Sequence, residues 1–204
     1  MSSSDLVRLG GLAALAGAVL FAIFDVLSIL LFAEEEDFSV IAATGSYAFF
    51  VGLSLLALVL IQIGLIGLYV RQSEATGILG LVSFLVTFLA MALAVGSYWA
   101  QEFVAPAAAQ TAPEFIDGEP AWLNFGFTLT FGLLSLGWLL FGVATLRARI
   151  YPRIATILLM IGAVVSFLPL PGTELVLIVA IAWLGFDLFT GRGGAAAGRP
   201  ARVS

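Results

Sequence analysis

Apolar residues in this chain do not alternate with polar ones; they collect into long runs interrupted by charge, proline or glycine. Six runs stand out, near residues 9 to 32, 46 to 70, 76 to 100, 121 to 146, 152 to 169 and 173 to 190. Each supplies enough residues for a helix to cross ~30 Å of hydrocarbon at ~1.5 Å per residue, the last two only just. Pro152 fits a first-turn proline, and "PLPGTE" (169–174) carries the Pro-Gly pair of a tight reversal. The predicted fold is all-α, a polytopic integral membrane protein with six transmembrane helices in one bundle over 1–190. A flexible basic tail, 191–204, follows. The first run is longer than the ~7–15 residues of a signal-peptide apolar core, and no small-x-small cleavage site precedes Glu34, so it reads as a retained helix.

Composition reinforces the pattern and narrows the chemistry. Of 204 residues, 62% are hydrophobic and 10% charged, against roughly 45–50% apolar and ~25% charged in soluble domains. There is no cysteine and no histidine, and all eight basic residues are arginine. Disulfides, thiolate nucleophiles, Schiff bases and His or Cys metal sites are thereby excluded, and no metal or cofactor is expected. A net charge of −5 argues against nucleic acid as a partner, because phosphate binding needs clustered basic residues.

The positions of the charges orient the runs. Arg8, Arg71, Arg147, Arg149, Arg153, Arg192, Arg199 and Arg202 all fall on one side of the predicted bundle. Glu34, Glu35, Glu36, Asp37, Glu102, Glu114, Asp117, Glu119 and Glu174 fall on the other. The positive-inside tendency then predicts cytoplasmic termini and outward loops near 33 to 45, 101 to 120 and 170 to 173, in a membrane of the bacterial inner or plasma type. "EEED" (34–37) has no calcium-loop spacing and reads as a solvated run. In the loop 101 to 120, Thr111, Pro113, Glu114 and Gly118 predict a short capped helix on the outer surface, from which Phe103, Phe115 and Ile116 reach toward lipid headgroups.

Small residues at spacings of four or five, such as Gly10, Ala14 and Ala18, Ala92 and Gly96, or Gly132, Gly137 and Gly142, predict close backbone packing. The neighbouring helix belongs either to the same chain or to another subunit. Tyr47, Tyr98, Trp99 and Trp122 stand at outer span ends, where interfacial anchors belong.

The chemistry worth testing centres on Asp25, alone in the oily stretch "LFAIFDVLSILLF" (20–32). A carboxylate in hydrocarbon costs several kcal/mol unless it is protonated, hydrated or paired. Counting inward from the outer ends, Asp25, Ser54 and Thr128 each lie about 10 Å deep. Asn124, Thr128, Ser135 and Thr145 form a polar seam with helical spacing, expected to face the bundle interior. The candidate ligand-binding set is therefore Asp25, Ser28, Ser54, Asn124 and Thr128. Gln62, Ser135 and Asp187 read as structural polar residues, with Gln62 bonding Ser135 and Asp187 reaching water or Arg192.

Three functions fit these residues. The absence of any catalytic motif favours a non-catalytic accessory or regulatory membrane subunit, partnered by the lipid bilayer and by other subunits or a second copy. The alternative is a small transporter of protons or a cationic substrate that uses Asp25 in an outward-facing pocket. A third is an intramembrane lipid or isoprenoid enzyme, which needs Asp25 to meet a second carboxylate, Glu102 or Glu34.

Overall fold

A computed structural model describes residues 3–32, 37–118, 120–168 and 170–191. Among them the chain is helical, without strands: α1 (Ser3–Phe32), α2 (Phe38–Ala42), α3 (Gly45–Phe103), α4 (Ala105–Thr111), α5 (Pro113–Asp117), α6 (Ala121–Ala148), α7 (Arg153–Val165) and α8 (Glu174–Thr190). Glu34–Glu36, Glu119, Pro169 and the tail with Arg192, Arg199 and Arg202 lie outside the described residues.

The long element α3 is two arms. It is helical on both sides of Gly77, whose φ of +55° and ψ of −143° suit only a residue without Cβ. The chain doubles back there, so Tyr69 of the first arm (45–76) stacks on Phe84 of the second (78–103) at 4.3 Å between ring centres. Three stretches are long and apolar enough to cross a membrane: Ser4–Leu31, Gly45–Phe103 and Ala121–Ala148.

Six rods result, namely α1, the two arms of α3, α6, α7 and α8. Each packs beside its neighbours: α1 on α3 and α8, α6 on α3 and α7, and α7 on α8. The ring closes around Ile61, Leu65, Met91, Trp138, Leu159 and Leu184, all at most 1% exposed.

Small residues set the closest approaches of α1, as their spacing predicts, and Gly137 meets the Thr87 backbone, whereas a Cβ on Gly96 would meet nothing within 4 Å and one on Gly132 only the Phe167 ring at 3.7 Å. A Cβ on Gly10 would lie 2.8 Å from the Gly67 backbone, and one on Gly64 2.5 Å from Ala14. On the other side of α1, a Cβ on Gly11 would lie 2.5 Å from the Phe189 nitrogen, and Gly185 sits against Ala14. Backbones this close maximise dispersion where lipid gives no hydrophobic drive between helices.

The rods differ in length. α1 has 30 residues and α6 28, but α7 has 13 and α8 17. At ~1.5 Å per residue, α7 rises only ~20 Å, and α8 ~26 Å, beside an α6 of ~42 Å. The turn joining α7 to α8 therefore sits partway up the bundle. Above it α6 loses its neighbour, leaving Trp122 85%, Phe125 60% and Leu129 46% exposed.

The short helices α2, α4 and α5 cover the acidic end. Asp117 at the end of α5 accepts hydrogen bonds from the backbone N–H (2.9 Å) and hydroxyl (2.6 Å) of Ser39 in α2. Ala42, Tyr47, Val51 and Ala109 form a small apolar cluster beneath. The expected helix after Thr111 is present as α5, but Thr111 does not cap it. Its hydroxyl donates back to the Ala107 carbonyl at 2.8 Å, closing the last turn of α4.

Candidate functional site: a carboxyl pair inside the bundle

Asp25 is 6% exposed on the face of α1 that meets α8 and α3. Its partner is Glu174. The contact of Ala14 with Gly185 fixes the antiparallel register of α1 and α8. Asp25 lies eleven residues beyond Ala14, and Glu174 eleven residues before Gly185. Equal rise along both helices brings the two carboxyls to one level, within range of direct side-chain interaction.

Two carboxyls this close set a protonation requirement for any hydrogen bond between them. Two carboxylates can only accept, so a hydrogen bond between them needs a proton on one. Asp25 Oδ2 is fully buried with no hydrogen-bond partner, and Glu174 is the titratable group beside it. The Arg71–Asp187 salt bridge lies at the opposite end of the bundle. Titration of such a pair belongs to both members rather than to either one.

Glu174 also lines a cavity of about 50 Å³, enough for one to three waters. Its walls are mainly apolar, with Phe21, Met91 and Trp138 among them, and its polar positions are Tyr98, Ser135, Ser166 and Glu174. The Tyr98 ring packs edge-on against Phe21 and Phe24 at 6.2 and 6.1 Å. It lies within electrostatic reach of both Asp25 and Glu174. The pair thus stands between a sealed helix contact and a small chamber.

The other residues singled out from sequence are not drawn to Asp25. Ser28 donates to the backbone carbonyl of Asp25 at 2.9 Å, and Ser54, fully buried, to the Val51 carbonyl at 2.7 Å. Each hydroxyl satisfies its own helix. Asn124 and Thr128 are exposed on the unneighboured upper half of α6 rather than facing the interior. Asn124 instead lines a separate crevice of about 350 Å³ with Ser97, Gln101 and Phe127. Ser135, lower on the same face, donates to the Ala163 carbonyl of α7. Gln62 reaches the Phe88 carbonyl at 3.4 Å across the two arms of α3, not Ser135.

At the arginine end Asp187 pairs with Arg71; Arg192, the partner expected from sequence, lies outside the described residues. Arg71 Nη1 lies 3.3 Å from Asp187 Oδ2 and donates to the Asp187 carbonyl at 3.3 Å. The contact with Oδ2 is one of charge rather than an aligned hydrogen bond, since that oxygen receives no well-directed N–H. The guanidinium also sits 4.9 Å from the ring centre of Tyr151, whose hydroxyl donates to the Leu68 carbonyl at 3.1 Å. Burial pushes the Tyr151 phenol up, Arg71 pulls it back, and Asp187 raises it again.

Among the described residues no three His, Cys, Asp or Glu side chains gather as a metal site. No protein family, characterised protein or solved structure matches this chain. The chemistry of the site is therefore read from its own residues.

Proposed function

We propose that this is a six-span membrane protein of the bacterial plasma membrane, arginine end in the cytoplasm, that binds and releases a proton at Asp25 and Glu174 as a small proton-linked carrier. One observation carries the reading: two carboxyls meet inside the bundle, with the Arg71–Asp187 ion pair at the far end and a chamber beside them. An intramembrane acid is expensive unless it works, and proton relays are a principal use of such groups. A purely structural link between α1 and α8 needs no acid, since an amide pair joins helices without a titratable charge.

The test is proton movement in vesicles containing the purified protein and a lumenal pH dye. An imposed pH step should relax faster than in protein-free vesicles, and Asp25→Asn and Glu174→Gln should each return relaxation to that baseline. Wild-type vesicles no leakier than empty ones, together with equal proton uptake by wild type and Asp25→Asn on titration in detergent, would sink the proposal.

A second reading, an accessory subunit, has its own support in the bare upper half of α6, where Trp122, Phe125 and Leu129 surround an exposed Thr128. Polar hydroxyls on membrane helices commonly face other helices. A single-chain mass in native detergent extracts, with no co-purifying subunit, would count against it.

A further inference from the structure

The orphaned polar atoms of the bundle are not scattered. At the acidic end, Asp25 Oδ2, Tyr47 Oη and Glu102 Oε2 are buried without a hydrogen-bond partner. Such an atom costs about 1–3 kcal/mol unless water or function uses it. The three belong to one neighbourhood. The Glu102 carboxyl lies against the first arm of α3, where a Cβ on Gly52 would be 3.5 Å from Oε1, and within electrostatic reach of Tyr47. Tyr47 packs beneath Phe38 at 5.8 Å and shares its apolar cluster with Tyr98. Tyr98 in turn lines the chamber with Glu174 and lies within electrostatic reach of Asp25.

From the geometry we infer that Glu102, Tyr47 and Tyr98 form the inlet through which protons reach the Asp25–Glu174 pair from the acidic end; this rests on the pair being a proton site. Glu102 is partly exposed and takes a proton from bulk water. Each phenol, bridged by water, accepts one proton and releases its own toward the chamber, so no charge accumulates on the way. The proton ends on the carboxyl pair. The facing groups fit this role and offer no competing base: α1 contributes Asp25, α8 Glu174, the arms of α3 Tyr47, Tyr98 and Glu102, while α6 and α7 present Ser135 and Ser166 to the chamber. In the cap, Asp117 is held by Ser39. No arginine of the described chain lies at this end, so nothing pins the acids in one charge state.

Glu102, Tyr47 and Tyr98 are positioning residues, and the readout is a rate. Full-length protein in detergent is subjected to a rapid pH drop while the carboxyl infrared band of the pair is followed. Glu102→Gln and Tyr98→Phe should each slow protonation of the pair by about tenfold or more while the band still reaches its full amplitude. Glu102→Asp should recover most of the rate, and Tyr47→Phe, which removes only a hydroxyl, should slow it without altering helix content. Full amplitude with unchanged rates in all three slowed variants overturns the inlet and leaves the proton site standing. A wild-type band that does not respond to pH, or that persists in Asp25→Asn, overturns both.

Discussion

The two ends of this bundle handle buried charge in opposite ways. At the arginine end, Asp187 meets Arg71, backed by Tyr151, and opposite charges cancel where side chains are 13% and 9% exposed. At the acidic end, Asp25 meets another acid, Glu174, and the counter-charge in the proposed function is a proton. An ion pair of fixed composition suits permanent closure, whereas a pair completed by an exchangeable particle has two states. The contrast teaches that burial alone does not mark function here; the identity of the counter-charge does.

The severest test removes what both ends share, the α1–α8 contact. Gly11→Val puts side-chain atoms into the Phe189 backbone, and overpacking a backbone contact is expected to cost about 3 kcal/mol or more. Both ends should fail together, seen as loss of the monodisperse peak in detergent. Gly126→Val, where nothing lies within 4 Å of a Cβ, should leave that peak intact.

Next in size is Asp187→Asn. Removing one partner of a buried ion pair strands the other, at a cost of about 3 kcal/mol, read as a lowered unfolding midpoint. Asp25→Asn should behave differently. Its amide donates to Glu174 in place of the shared proton, so stability should change by less than about 1 kcal/mol. If the folded pair holds a proton, as proposed, the stability this adds is fully present below the pH at which the unfolded carboxyls ionise and declines from there as pH rises, until the pair itself releases the proton. Asp25→Asn should flatten that decline. A loss from Asp25→Asn as large as that from Asp187→Asn would erase the distinction between the ends. The smallest effect is expected for Tyr151→Phe, which loses one hydrogen bond to the Leu68 carbonyl, about 1 kcal/mol, with no change in pH dependence below neutrality.

How much of this was legible beforehand depends on a single assumption. Helix positions follow from apolar runs, and the small residues of α1 mark its close packing, because both are local properties of the chain. Asp25 was visible because hydropathy makes an isolated acid conspicuous. Its partner was not, because counting depth from run ends treats every turn as reaching the same outer boundary. The α7–α8 turn does not reach it. That places Glu174 beside Asp25 rather than in the solvent, and it removes the neighbour that Asn124 and Thr128 needed for an inward seam: Ser135 still finds Ala163 in α7, whereas Thr128, two turns higher, lies past the end of that helix. The shortness of the last two runs was the available signal, and reading it required comparing lengths between helices rather than periodicity within one. The Arg71–Asp187 pair likewise depends on tertiary register, which joins residues 116 positions apart.

The shortened α7–α8 hairpin has a consequence for the surrounding lipid. In the proposed orientation, ~20 Å of α7 faces a leaflet pair whose oily interior is ~30 Å thick, and a short wall is accommodated by local thinning of the bilayer. The headgroups of the external leaflet would dip into that notch, carrying moisture toward Glu174 from the side. The carboxyl pair would then sit at the bottom of a dimple in the membrane, nearer to the outside world than its place in the chain suggests.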